Sequence, residues 1–158
     1  MNRGFTLVEV IVVLLLAALL VGAFTAALIP ATEGLTLVRR NTEAAQKAQF
    51  AMTRMVREMG ALTNIVSGTG TAITYDFVDP EGNNRRSTLA WAGAGQPLTL
   101  NTIPLSDDVA QFALRYYPSP SATPASTWNS SMRQLEIVLQ SATAGSMIYS
   151  NRLALRTF

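Results

Sequence analysis

The sequence predicts an α+β chain in which a long N-terminal helix is followed by an antiparallel β domain. Three observations carry this. No charged residue lies between Glu9 and Glu33. From Leu35 to Leu62 apolar residues recur at steps of three and four, the helical period. Beyond Gly60 the period falls to two, and segments of alternating apolar residues are separated by Gly-, Pro- and Asn-rich turns.

Composition agrees with an anchor joined to a smaller domain. The chain has 158 residues, 49% hydrophobic and 14% charged, whereas a soluble domain averages about 25% charged. The deficit is confined to the uncharged stretch. Residues 33–62 carry a net charge of +2 and residues 63–158 a net charge of zero. No Lys/Arg-rich surface of the kind that binds nucleic acid is foreseen. There is no Cys, so the core must hold without disulfides. There is also no His, which removes the serine–histidine triad and most zinc sites. No enzyme and no cofactor is expected.

The first element is Val10 to Ile29, VIVVLLLAALLVGAFTAALI. Twenty helical residues rise about 30 Å, the thickness of a bilayer's hydrocarbon core. A secretory signal has a shorter apolar region, about 7–15 residues, followed by a small-x-small cleavage site. The end of this run, Ala26-Ala27-Leu28-Ile29-Pro30, offers a poor one. A retained transmembrane helix is therefore expected. Arg3 precedes it and Arg39 and Arg40 come after it, so charge alone does not orient it. Glu9 is the anomaly. A carboxylate near hydrocarbon costs up to about 3 kcal/mol, so it is either an acid in the headgroup layer or one with a partner.

The residues Met1-Asn2-Arg3-Gly4-Phe5-Thr6-Leu7-Val8-Glu9 resemble the start of type IV prepilins and type II secretion pseudopilins. The resemblance implies a pilin-like fold and a leader, residues 1–4, that a prepilin peptidase removes. It implies cleavage after Gly4 and N-methylation of Phe5. It makes Glu9 the acid that pairs with the Phe5 amine of a neighbouring subunit. On this reading residues 5–29 form the transmembrane and assembly helix. Residues 30–62 form an amphipathic periplasmic helix, and residues 63–158 the β domain. The second half is similar in layout to J-type minor pseudopilins. The features are the aromatic strand Phe112 to Tyr117, a Pro/Ser loop with Trp128, a strand around Leu135 to Leu139, and a last strand ending Leu155-Arg156.

The function implied is that of a structural subunit at the tip of a periplasmic pseudopilus, supporting protein export. The chain would be anchored once in the bacterial inner membrane with its N-terminus cytoplasmic. Its partners would be other pseudopilins or pilins and the prepilin peptidase, with no nucleic acid. A minor pilin of a type IV pilus or DNA-uptake filament, and a plain membrane-anchored binding domain, stay open as alternatives.

The remaining elements come in chain order. Pro30 and Gly34 mark either a bend in one helix or a break between two, and Thr32-Glu33 is a weak N-cap for a restart. Ala45, Ala48, Met52, Met55, Met59 and Leu62 form the apolar stripe, with Glu43–Lys47 and Arg54–Glu58 as (i, i+4) pairs on the wet side. Residues 71–91 read as a hairpin turning at 79–84. Residues 98–103, 109–117, 132–141 and 148–158 read as strands, and 118–131 as a loop. The oxygen-rich turn of Asp76, Asp79, Glu81, Asn83 and Asn84 lacks EF-hand spacing, so a hairpin turn is preferred to a calcium site. Asp107-Asp108 is no convergent catalytic pair, Arg85-Arg86 is ordinary surface, and Gly68-Thr69-Gly70 is no phosphate loop. Trp91 and Trp128 are read as core or loop pins.

Overall fold

The computed structural model describes residues 6–143 and 147–155, without the side chain of Ala27. Helix α1 spans Leu7–Gly60 and is followed, among the described residues, by eight antiparallel strands. This is the expected pilin-like α+β architecture. Contacts divide the chain into two compact units, Met1–Arg39 and Arg40–Phe158.

In the first unit, helix α1 passes through Pro30 without interruption. Proline lacks the amide proton that would bond to the carbonyl of Ala26, so the segment loses one hydrogen bond. Of the two alternatives left open at residues 30–34, the structure takes the single helix, and no restart occurs at Thr32. The Thr32 hydroxyl donates back to the Ile29 carbonyl at 2.8 Å instead of capping a new helix. Thr25 and Thr36 donate in the same way to Val21 and Thr32. Such internal bonds satisfy hydroxyls on a helix surrounded by apolar side chains.

In the second unit, the buried stripe is Ala44, Ala48, Ala51, Met52, Met55 and Met59. Ala45 is only half-buried. The helix ends at Gly60, earlier than the apolar period suggested. Leu62 opens strand β1 (Leu62–Gly68), which the sequence did not reveal. The reason is a register shift. Leu62 and Ile65 are both buried yet lie three residues apart, because the ladder with the next strand is irregular between Leu62 and Asn64. A bulge of this kind breaks the twofold alternation and imitates a helical step.

Strands β2 (Ala72–Val78) and β3 (Asn84–Trp91) form the expected hairpin. The expected single strand at 98–103 is instead two, β4 (Leu98–Leu100) and β5 (Ile103–Ser106). Between them Asn101 and Thr102 have φ of 50° and 69°, the left-handed pair of a tight two-residue turn. A β-branched Thr is unusual there, so no Gly signalled the reversal. The Asn101 side chain holds the turn, accepting from the Thr88 amide at 2.8 Å and donating to Ser87 Oγ at 2.9 Å.

Strands β1 to β5 form one sheet in sequence order. Strands β6 (Val109–Tyr117), β7 (Gln134–Ser141) and β8 (Ile148–Ala154) form a second. The β strands therefore make two sheets and not one. Along β7 the burial alternates strictly, with Leu135, Ile137, Leu139 and Ser141 inside. One core joins the elements. Met52, Met55 and Met59 pack with Ile73, Tyr75 and Leu89 of the first sheet and Phe112, Leu114 and Ile137 of the second.

The polar contacts of the helix also differ from expectation. Arg54 pairs with Glu58 at 2.7 Å as foreseen. Lys47 instead reaches Asp107 at 2.9 Å, across the fold. Glu58 also accepts from the Tyr75 hydroxyl at 3.3 Å. Burial and this carboxylate push the Tyr75 phenol well above its ordinary range.

Candidate assembly site on the N-terminal helix

The site begins at the helix start. The Glu9 amide donates to the Thr6 carbonyl at 3.0 Å and to the Thr6 hydroxyl at 3.4 Å. Thr6 is thus the N-cap, and Glu9 is the residue three positions on. This is the Thr-x-x-Glu spacing of a capping box. The sequence carries that signal in plain form, but a reading centred on Gly4, Phe5 and Glu9 passes over Thr6. An acid in the first turn also faces the positive end of the helix dipole.

Glu9 is exposed and makes no ion pair with another described residue. Gly4 and Phe5 lie outside the described residues, so the expected cut and the Phe5 amine have no geometry to set beside it. Beyond Glu9 the helix presents a surface of unusual character. The large apolar side chains from Leu7 to Ile29 are 46–79% exposed. In the core helix of a soluble protein they would be buried. Here they lie open, and the segment is long and apolar enough to cross a membrane. Covering such a surface needs lipid or other helices.

The constellations in the β domain have structural explanations. Asp79 accepts from the amides of Glu81 and Asn83, at 3.0 and 2.8 Å, and from the Arg85 guanidinium at 2.7 Å. These donors hold its carboxyl down at about 2. The turn is completed by Gly82 at φ of 86°. Both Asp79 carboxylate oxygens are thus engaged by donors of the same hairpin. Asp76 is likewise held low by Arg86, at 2.7 Å.

Asp107 and Asp108 diverge. Asp107 faces Lys47, while Asp108 accepts from Ser141 Oγ and from the amide and hydroxyl of Thr143. Trp91 donates to the Gln96 carbonyl at 3.1 Å, and Trp128 meets Tyr116 edge-on with centroids 6.0 Å apart. Both are loop pins.

The chemistry available to the N-terminal helix is that of membrane insertion and helix association, with one acid placed at its start. Residues 1–25 match the prokaryotic N-terminal methylation motif. No curated protein and no solved structure matches the chain.

Proposed function

We propose that the chain is a pilin-type structural subunit, made as a membrane prepilin and assembled into a filament. Its finer assignment is a minor pseudopilin of a type II secretion system. One observation carries the reading. A methylation motif leads into an exposed apolar segment, residues 7–32, whose only charged residue, Glu9, sits in the first turn of the helix. In a plain anchor that acid serves only the start of its own helix. In a filament subunit it has a second use, because peptidase cleavage after Gly4 leaves a charged amine on Phe5, four residues before it.

In a bundle of parallel helices, Glu9 of one subunit neutralises the Phe5 amine of the next. Each charge alone is costly in lipid, and together they cost less. The pair also favours one axial stagger, as a buried polar residue sets register in a coiled coil. The layout supports the minor-pseudopilin assignment. The aromatic strand Phe112 to Tyr117 pairs with the strand holding Leu135 to Leu139, and Trp128 in the Pro/Ser loop pins against Tyr116. On this reading the β domain stands in the periplasm, the helix in the inner membrane, and the subunit does no chemistry.

The test is mass spectrometry of the N-terminus in assembled material, with the wild-type chain and with Gly4 replaced by a bulky residue. The wild type should begin at N-methyl-Phe5, and the variant should keep Met1 to Gly4 and stay out of filaments. An intact leader in assembled wild-type protein overturns the reading. Deleting the subunit should abolish export of secreted proteins. Lost piliation or DNA uptake with intact export would move it to a pilus instead.

A further inference from the structure

Beyond the uncharged run, the first unit carries two more charges, Glu33 and Arg39. Both are exposed, and neither makes an ion pair with a described residue. The spacing explains why Glu33 has no partner on its own helix. Side chains on a helix meet at three and four residues, and around Glu33 those positions hold Ile29, Pro30, Thr36 and Leu37. Arg39 is six residues on, too far to fold back. The two charges stand among Leu35, Leu37 and Val38, each about 60% exposed. So the apolar surface continues past Pro30, and the two charges are set within it.

An acid and a cation six residues apart on one helix lie about 9 Å apart along its axis. Two such helices, side by side and parallel, bring these charges level when one is displaced by that distance. We infer that Glu33 of one copy pairs with Arg39 of a second copy of this chain, locking the axial stagger of the two helices just beyond the membrane-spanning segment. The inference rests on the filament reading above and names a second contact for it, distinct from the Glu9 pair. The sense of displacement agrees. The copy that is shifted forward presents its Glu33 to the other's Arg39, and it also presents its Phe5 amine to the other's Glu9. The apolar residues around the pair keep water off it, so it is worth more than an ion pair on an open surface. A parallel pair in register would leave both charges unanswered within this patch, and an antiparallel pair, although it would bring both charges level, would aim the two apolar segments in opposite directions, away from a shared membrane.

The chain has no native Cys, so introduced cysteines report contacts without background. Full-length chains carrying Thr32→Cys and Val38→Cys are co-expressed in membranes with the other subunits and oxidised. A stagger of six residues brings these two positions level. The mixed Thr32–Val38 disulfide should exceed either homodimer several-fold. Glu33→Arg or Arg39→Glu alone should reduce it about tenfold, and both changes in one chain should restore it. Membrane insertion, measured in parallel, should be the same in all variants.

Cross-links that form but ignore the single reversals overturn the pair and leave the filament reading standing. A loss on reversal that the double exchange does not restore also overturns it, and assigns Arg39 to lipid phosphate. An absence of any cross-link between anchor helices, with an uncleaved leader, overturns the filament reading itself.

Discussion

Gly68 faces the Tyr116 ring so closely that a Cβ on it would lie 2.4 Å from the Tyr116 hydroxyl oxygen and 2.9 Å from Trp128 Cβ. The approach joins the two sheets. Tyr116 donates to the Thr69 carbonyl at 3.1 Å, the Trp128 amide to the Gly68 carbonyl at 3.0 Å, and the Leu114 amide to the Gly70 carbonyl at 2.7 Å. The turn Gly68-Thr69-Gly70 is therefore a seam between β1 and β6, where only a residue without a side chain fits.

Gly68→Ala should destabilise the β domain by about 1–3 kcal/mol, the usual cost of overpacking a filled site. Urea unfolding followed by tryptophan fluorescence measures it. In a Tyr116→Phe background the same change should cost less, because the nearest atom is gone. Equal costs in the two backgrounds would show that the ring, not the hydroxyl, sets the limit.

Ser106 is 4% exposed in the edge strand β5, and its hydroxyl has no hydrogen-bond partner among the described residues. A buried hydroxyl left unpaired costs about 1–3 kcal/mol. Ser106→Ala should therefore raise the midpoint of urea unfolding, with an unchanged slope. A lower midpoint would mean that the hydroxyl does find a partner.

The Asp79 carboxyl is held at about 2, first by the Asn83 amide and then by Arg85. Its ordinary value is about 3.9. A depressed carboxyl lends stability that is complete above the unfolded value and lost as pH falls through the folded one. The β domain should weaken between about pH 4 and pH 2, and Asp79→Asn should flatten that part of the profile. An unchanged acid limb in the variant would assign the effect to Asp76 and Asp107, which Arg86 and Lys47 also hold low.

A fragment beginning at Glu33 should fold as a soluble protein with mixed helix and strand, since the buried core among the described residues lies within residues 44–155. Its melting temperature should not respond to reductant, because the chain has no Cys. A circular dichroism spectrum without strand signal would contradict this.

Glu9→Leu should leave membrane insertion intact or improve it, because a costly carboxylate is gone. Assembly should suffer instead, since breaking a buried ion pair typically costs about 3–5 kcal/mol. Cross-linking through the anchor helices, beside secretion or piliation, reads the effect. If all of these stay at wild-type levels, Glu9 serves only its own helix, as the acid next to the Thr6 cap.

Local rules made much of this protein legible in its residues. The anchor could be read from the absence of charge between Glu9 and Glu33, a run long enough as a helix to span a bilayer's hydrocarbon core. The motif at Gly4, Phe5 and Glu9 could be read from order and spacing. The β2–β3 hairpin and strands β6 to β8 could be read from twofold alternation and from turns rich in Gly, Pro and Asn. Everything else depended on contacts with residues distant in the chain. Strand β1 stayed hidden because its bulge puts Leu62 and Ile65 at a helical step, and only pairing with β2 shows it as a strand. The β4–β5 turn stayed hidden because Asn101-Thr102 lacks glycine, and the Asn101 bonds to Ser87 and Thr88 hold it. Lys47 chose Asp107 over Glu43 because the fold brings a distant carboxylate within 2.9 Å. Gly68 looked like a loop glycine until Tyr116 lay against it. Local period and composition set what each segment prefers. Which segments meet is settled by packing, because a contact between residues forty-eight apart, such as Gly68 and Tyr116, leaves no periodic trace in the sequence.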